Sequence, residues 1–256
     1  MSATAMLEVS DLSMRFGGLL AVDGVSLQVQ PGQVVSIIGP NGAGKTTVFN
    51  CLTGFYRPSG GQILFKGEPV QGLPGHLIAR RGVVRTFQNV RLFRDMTAVE
   101  NMLVAQHRHL NTHLLGGLFK SAAFRRSEKA ALDFACQWLE RVGLSDIANR
   151  PAGTLAYGQQ RRLEIARCMM TRPTLLMLDE PAAGLNPRET EELEILLGDL
   201  RREHEITVLL IEHDMRLVMS VSDHIYVINQ GRPLADGTPE QVRTHPEVIK
   251  AYLGEV

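Results

Sequence analysis

A glycine-rich segment between a strand and a helix constrains this chain more than any other feature. The sequence GPNGAGKT (39–46) follows the apolar run VVSII (34–38) and precedes a segment with an apolar helical pattern. Glycines let successive backbone N–H groups point inward at an anion, and a helix that begins near Lys45 adds the positive end of its dipole. Residues 39–46, called the phosphate loop below, are therefore predicted to bind the phosphates of a nucleotide.

Two side chains of the phosphate loop have predicted tasks of their own. Lys45 is expected to reach the β- and γ-phosphates, and the Thr46 hydroxyl is expected to ligate Mg²⁺. The alternative is a glycine-rich turn without a ligand, and the Lys-Thr pair with its strand and helix flanks disfavours it. The other predicted nucleotide-binding residues of this segment are Gly39, Pro40, Asn41, Gly42, Ala43, Gly44 and Thr47.

Two acids follow a second apolar strand. Residues 175–178 are Leu, Leu, Met and Leu, and Asp179 and Glu180 come directly after them. Because open α/β sheets bind ligands at the carboxyl ends of their strands, we expect Asp179 to orient Mg²⁺ and Glu180 to accept a proton from an attacking water. A small-molecule kinase or a GTPase could carry both elements, so they predict nucleotide binding and leave the reaction open.

The spacing of apolar runs predicts an α/β fold with a mainly parallel sheet. Short apolar runs at 34–38, 174–178, 207–211 and 224–228 alternate with helical patterns, of which 187–204 is the clearest. Asn186 is expected to cap that helix, with Glu189 completing a capping box. Segments 6–12, 25–29 and 60–70 have the pattern of an antiparallel subdomain.

The middle of the chain has a different pattern. Segments 97–107 and 120–142 predict helices, and nothing between 97 and 150 has the pattern of a sheet strand. The predicted organisation is a single domain over 1–256, with a nucleotide-binding core formed by 1–89 and 166–256. A helical lobe over 90–165 is inserted into that core.

Composition excludes several classes of function. The 27 basic and 27 acidic residues give a sequence pI near 7.1, which argues against nucleic acid as a partner because that binding depends on excess Lys and Arg. No apolar stretch approaches the roughly 20 residues that span a bilayer, and the N-terminal sequence lacks the pattern of a secretory signal. Three scattered cysteines are typical of a reducing compartment.

Six segments in consistent order resemble the ATP-binding cassette (ABC) family over nearly the whole chain. They are GPNGAGKTT (39–47), RTFQN (85–89), LAYGQQRRLEIAR (155–167), LMLDEP (176–181), AGLNP (183–187) and IEHDM (211–215). The resemblance implies a P-loop ATPase with ATP and Mg²⁺ as cofactors. It also implies that ATP is held between the phosphate loop of one cassette and the signature segment, residues 155–159, of a second cassette.

Further roles come from the resemblance alone. It implies that Gln88 acts near Mg²⁺ and the attacking water, that His213 touches the γ-phosphate, and that Phe16 stacks on adenine. The plainer alternatives are a solvated loop amide, a helix-cap residue and a core aromatic. The residues implied to contact the partner's ATP are Leu155, Ala156, Tyr157, Gly158 and Gln159.

The signature segment departs from the family pattern at two positions. Ala156 stands where the family generally has Ser, and Tyr157 where it has Gly, so the hydroxyl that would bond the γ-phosphate is absent. Losing one hydrogen bond to a charged group costs about 1.5–3 kcal/mol, which weakens a site without abolishing it. We therefore expect a different cassette with a fuller signature as partner, although pairing with a second copy of this chain is the alternative.

Among ABC proteins the chain resembles the ATP-binding subunits of branched-chain amino-acid importers, on LAYGQQRRLEIARCMM (155–170), LDEPAAGLNP (178–187) and its C-terminal sequence. This implies two integral membrane permeases and, indirectly, an external solute-binding protein as partners, with the chain peripheral on the cytoplasmic face of the inner membrane. Apolar residues 90–96 could contact a permease or form a small core. A soluble cytosolic assembly ATPase, as in iron–sulfur cluster biogenesis, is the competing function.

Overall fold

The computed structural model describes residues 4–106 and 122–253, and these form two compact units. The sheet unit contains the chain up to Arg85, Thr174–Ala183 and the chain from Thr190 onward. The helical unit contains Thr86–Pro173 and Gly184–Glu189. The lobe boundary predicted at residue 165 falls inside the helix Tyr157–Met169, all of which belongs to the helical unit.

Two sheets make up the sheet unit. One has four strands in the order β2-β1-β4-β5, and the other has six in the order β10-β9-β3-β8-β7-β6. The strands are β1 Leu7–Phe16, β2 Leu19–Val29, β3 Val34–Ile38, β4 Gly60–Phe65, β5 Glu68–Pro69, β6 Val83–Arg85, β7 Leu175–Asp179, β8 Thr207–Ile211, β9 His224–Asn229 and β10 Arg232–Gly237.

The six-stranded sheet is parallel except for its edge strand β10, which confirms the predicted α/β core. Every residue of β3, β7 and β8 is buried, because a parallel sheet is covered on both faces. Their carboxyl ends meet at one edge of the sheet. This edge therefore carries both the phosphate loop, which follows β3, and the acids at the end of β7.

The antiparallel sheet is confirmed, but its first two strands are longer than the predicted segments 6–12 and 25–29. A break in pairing between Val9 and Leu12, with Asp11 at a φ of 50°, interrupts the alternation on which the prediction depended. Pairing then continues through Met14 with Val22 to the end of the hairpin. Both sheets contribute to one apolar core together with the helix that follows the phosphate loop.

The helices agree with the predicted pattern except at the start of the helix Tyr157–Met169. They are α1 Lys45–Leu52, α2 Gly75–Arg80, α3 Ala98–Ala105, α4 Ala122–Arg141, α5 Tyr157–Met169, α6 Pro187–His204, α7 Met215–Val221, α8 Pro239–Arg243 and α9 Pro246–Leu253. The predicted helices 97–107 and 120–142 correspond to α3 and α4, and parts of both predictions lie outside the described residues. No helix within residues 4–106 and 122–253 has the length and apolar character needed to cross a membrane.

The start of α5 corrects one prediction. The sequence predicts a helix over 159–170 that residues 155–158 precede, whereas Tyr157 and Gly158 form its first turn and the helix ends at Met169. The helix starts earlier because Ala156 has the extended backbone of an N-cap, and its N–H donates to Gln159 Oε1 at 3.0 Å. The amides of Tyr157 and Gly158 thus belong to the positive end of the helix.

Candidate nucleotide site

The phosphate loop joins β3 to α1, and its shape requires glycine at two points where other strands approach closely. A Cβ on Gly39 would lie 1.9 Å from the carbonyl oxygen of Ile228, and one on Gly44 would lie 2.7 Å from that of Ala21. Both glycines have positive φ, of 154° and 98°. Neighbouring backbone therefore holds this loop in a form that a side chain at either position would disrupt.

Lys45 lies at the first position of α1 and closes the loop on itself. Its ammonium Nζ donates to the carbonyl oxygens of Gly39 at 2.7 Å and Pro40 at 2.9 Å. Burial lowers the pKa of Lys45, and the negative charges of Glu180 and Asp179 act in the opposite direction. The loop thus presents a buried cation with two acids near enough to influence it.

The structure brings Glu180 and His213 together. Glu180 Oε1 and His213 Nε2 are 2.7 Å apart, and Glu180 has a φ of 48°, a left-handed conformation that is rare for a residue with a side chain. Strain of this kind persists only where the surroundings fix the backbone, here in part through the Glu180 N–H bond to the Ile211 carbonyl at 2.8 Å. Sequence reasoning placed both residues in the site but did not predict this direct contact.

Glu212 supports the segment that carries His213, and sequence reasoning missed it. This buried carboxylate accepts from the N–H groups of Ala182 and His213, each at 2.7 Å. It therefore ties the loop after Glu180 to the end of β8. A charged residue that directly follows the fully apolar strand TVLLI was the signal that could have identified it.

Asp179 is paired with an arginine that the sequence analysis also missed. Arg85 Nη2 and Asp179 Oδ2 are 2.5 Å apart, with side chains 7% and 4% exposed. Arg85 Nη1 also donates to Asn50 Oδ1 at 2.7 Å and Thr53 Oγ1 at 3.3 Å. Arg85 therefore joins the end of β7 to the second half of α1, the helix that carries Lys45 and Thr46.

An open cleft of about 520 Å³ lies over the phosphate loop, within the usual range for small-molecule sites. Its lining combines predicted residues with others that the sequence analysis did not select. The predicted residues are Asn41, Gly42, Ala43, Gly44, Lys45, Thr46, Thr47, Glu180 and His213. The residues not predicted are Leu19, Leu20, Ala21, Gln230 and Gly231.

Phe16 is not among the described residues that line this cleft. Its side chain is 41% exposed and packs edge to face against Tyr56, with ring centroids 5.1 Å apart. This exposure excludes the alternative of a core aromatic. Its stacking on adenine stays a prediction.

The signature segment lies in the helical unit, at the start of α5. Leu155 is buried, Ala156 is exposed, and Tyr157 is 42% exposed. A Cβ on Gly158 would lie 2.3 Å from Glu189 Oε1, so the helix start and the capping box of α6 are in close contact. The predicted capping box is present, with Asn186 and Glu189 exchanging side-chain and backbone bonds of 3.0 Å.

Gln88 also lies in the helical unit, with its side chain exposed. The residues that follow it include Phe93 and Met96, which are exposed as well. A small core under the lobe would bury these two side chains, so their exposure favours a contact surface at residues 90–96.

A phosphate loop at the edge of a parallel sheet, with acids on a neighbouring buried strand, defines a nucleotide-binding protein of the P-loop class. A family model described as ABC transporter matches residues 22–183, and the chain belongs to that family of ATP-binding ATPases. A second model, described as branched-chain amino acid ATP-binding cassette transporter, matches residues 232–256.

Known proteins resemble this chain over almost its full length. It is 75% identical to the high-affinity branched-chain amino acid transport ATP-binding protein BraF of Pseudomonas aeruginosa and 66% identical to LivG of Escherichia coli, over 98% of both chains in each case. Among solved structures, the ADP conformation of MJ1267, an ATP-binding cassette of an ABC transporter, matches with a TM-score of 0.84. The two are 33% identical, over 98% of this chain and 99% of the other.

Proposed function

We propose that this protein is the ATP-hydrolysing subunit of an importer of branched-chain amino acids. It works with a second cassette and two integral membrane permeases that an external solute-binding protein supplies, and it is peripheral on the cytoplasmic face of the inner membrane. The observation that carries this proposal is the 75% identity to a branched-chain amino acid transport ATP-binding protein over 98% of the chain. The match of residues 232–256 to the branched-chain family model adds support, and neither finding favours a soluble assembly ATPase.

The residues present suit MgATP. The cleft places the backbone N–H groups of the phosphate loop beside Lys45 and Thr46, and hydroxyl and carboxylate oxygens are ligands that Mg²⁺ prefers. Thr46 and Asp179 would hold the ion, and Gln88 is assigned to it by family resemblance. When bound, Mg²⁺ supplies positive charge that neutralises the β- and γ-phosphate oxygens.

The chemical step depends on Glu180 and His213. Glu180 accepts the proton of the attacking water, and its bond to His213 at 2.7 Å holds the carboxylate in one orientation. Neutral His213 has one ring N–H, which Glu180 accepts in this structure; since His213 also lines the cleft, its ring can donate that N–H to the terminal phosphate when ATP is bound. Lys45 exchanges its bonds to the loop carbonyls for bonds to phosphate oxygens.

A second chain completes the site. The amides at the start of α5, from Tyr157 to Gln159, form a positive helix end that binds the γ-phosphate held by the partner cassette. Closure of two cassettes on ATP drives the permeases between their two orientations, and hydrolysis resets them.

Replacing Glu180 by Gln tests this mechanism. The amide keeps the size and polarity of the side chain but cannot take the proton, so Glu180→Gln should bind ATP normally and lose turnover by about two orders of magnitude or more. Uptake of labelled leucine should stop in membrane vesicles that contain the assembled transporter. Sizing chromatography with MgATP should retain the two cassettes as a dimer.

Glu203→Gln, the same change at an exposed acid of α6, should leave turnover and uptake unchanged. ATP hydrolysis without uptake of any branched-chain amino acid by the wild-type complex would contradict the proposed cargo. Monomers of Glu180→Gln in the presence of MgATP and the partner cassette would contradict the two-chain site.

A further inference from the structure

Two opposite charges lie buried inside the helical unit. Arg161 and Glu164 are one turn apart on α5, their side chains are 0% and 1% exposed, and Nη1 and Oε2 are 2.9 Å apart. Removing such a pair from water is expensive, and apolar residues of similar size often stabilise a protein as well or better. The contacts of this pair therefore need an explanation beyond stability.

Both side chains hold the backbone of the segment that contains Gln88. Arg161 donates from Nη1 to the carbonyl oxygen of Phe87 at 2.8 Å and from Nη2 to that of Gln88 at 2.7 Å. Glu164 uses its other oxygen, Oε1, to accept from the Arg91 N–H at 2.9 Å. Three backbone groups within five residues are thus bonded to one ion pair, and bonds to ionised groups are the stronger kind.

The same arginine reaches the signature segment. Arg161 Nη2 donates to Tyr157 Oη at 3.3 Å, one turn toward the start of α5, and its guanidinium lies 5.9 Å from the ring centroid. The Tyr157 ring in turn packs over Gly184, where an added Cβ would lie 3.3 Å away. One buried guanidinium therefore contacts both the segment around Gln88 and the first turn of α5.

We propose that Arg161 and Glu164 are positioning residues that clamp residues 87–91 to the start of α5, so that Gln88 and the signature segment move as one rigid body. This rests on the proposed function, which assigns Gln88 to the Mg²⁺ of one nucleotide and the signature segment to the nucleotide of the partner. The clamp transmits a displacement at Gln88 to Tyr157 through charged hydrogen bonds within a single unit. The state of one nucleotide site is thereby coupled to the alignment of the other.

Replacing Arg161 and Glu164 by uncharged residues tests whether the pair positions the two segments or only stabilises the fold. Arg161→Met/Glu164→Leu keeps the approximate volumes and spares the cost of burying two charges, but it takes one partner from each of three backbone groups, so the variant should fold with a lowered melting temperature. ATP binding by the isolated chain should be unchanged, because the phosphate loop is intact. Turnover of the assembled transporter should fall about tenfold or more, the effect of one lost charge-assisted bond at the signature contact.

A second measurement, hydrogen exchange, reports directly on the bonds that the ion pair makes to the backbone. Hydrogen exchange of the Arg91 amide should accelerate about tenfold or more in the double variant, because the amide loses its buried acceptor. Glu164→Gln leaves Arg161 buried without its counter-charge, so its melting temperature should also fall. Its single amide oxygen can still accept from the Arg91 N–H, so exchange at Arg91 should stay slower, and more turnover should remain, than in the double variant. The control is Asp199→Asn in the exposed pair Asp199–Arg202, which has the same spacing and a 2.8 Å contact on α6; it should change neither quantity.

The outcomes are distinct. If the wild-type complex hydrolyses ATP and the folded double variant does so at the same rate, the proposed clamp is wrong and the proposed function is unaffected. A turnover loss that follows the melting temperature across all variants would also overturn it, since the pair would then be structural only. A wild-type complex without ATP hydrolysis would reject the proposed function itself.

Discussion

The phosphate loop and the signature segment each contain the start of a helix, but the two helix starts are held in place by different means. Crowding of the backbone at Gly39 and Gly44 shapes the phosphate loop, and Lys45 bonds to the loop's own carbonyl oxygens. The start of α5 instead depends on side chains of its own helix, with Gln159 bonded to the N-cap and Arg161 bonded to Tyr157.

This difference predicts that the two segments tolerate substitution to different extents. A loop whose form requires the absence of side chains has few acceptable sequences, and this one keeps the full phosphate-loop pattern. A helix start that is held by side chains three or four residues further along the same helix can change its N-cap residue and keep its position. Ala156 is a change of that second kind, whereas Tyr157 supplies the hydroxyl to which Arg161 bonds.

The largest expected effect is a loss of ATP binding on substitution of the lysine of the phosphate loop. Lys45→Ala removes the cation that closes the loop and that would contact the terminal phosphates, so ATP binding should fall by about three orders of magnitude. Isothermal titration calorimetry of the isolated chain with MgATP measures this change. Lys129→Ala, at an exposed position of α4, is the matched control and should bind as the wild type does. Retained binding by Lys45→Ala would show that backbone groups alone hold the nucleotide.

A second variant tests whether the sheet unit also depends on a buried charge. Arg85→Met leaves the Asp179 carboxylate buried without the guanidinium 2.5 Å away, and breaking such a pair costs about 3–5 kcal/mol of unfolding free energy. Urea denaturation of the isolated chain measures it. Arg81→Met breaks the exposed pair with Glu68 and should cost less than about 1 kcal/mol. Equal losses in the two variants would show that Arg85 contributes no more than a surface residue.

The sequence could predict what depends on local pattern. The phosphate loop, the order Asp179–Glu180 after a buried strand and the bounds of α6 all follow from residues that are adjacent in the chain. Arg85 and Arg161 could not be found in this way, because their acceptors are 94 and 74 residues away. The sequence alone does not distinguish a charged residue that will be buried and paired from one that will be exposed, because the partner comes from a distant part of the chain.

The extent of α5 shows a second limit. The sequence predicts that this helix begins only after Gly158, whereas Gly158 lies in the first turn of α5, where Glu189 leaves no room for a side chain. Close approach, and not chain flexibility, explains this glycine. Sequence pattern alone does not distinguish these two uses of the residue.

The smallest expected effect comes from a substitution at Ala156, at the start of α5. This helix start lacks a side-chain acceptor at its N-cap, so the substitution tests how it differs from the phosphate loop. Ala156 has N-cap geometry and half of a capping box, since Gln159 accepts from its N–H while the methyl group can accept nothing in return. Ala156→Ser supplies the missing acceptor and should raise the unfolding free energy by about 1 kcal/mol. Ala130→Ser, the same change inside α4, should lower it by a few tenths of a kcal/mol, as helix propensity requires.

In the assembled transporter, the same hydroxyl should also add a bond to the γ-phosphate of the partner's nucleotide. Apparent ATP affinity at that site should then increase about tenfold, the effect of one hydrogen bond to a charged group. Stabilisation without any change in affinity would mean that residue 156 caps the helix but lies out of reach of phosphate. The signature segment of this chain would then act through the backbone amides of α5 alone, and the serine usual in the family would serve as a cap.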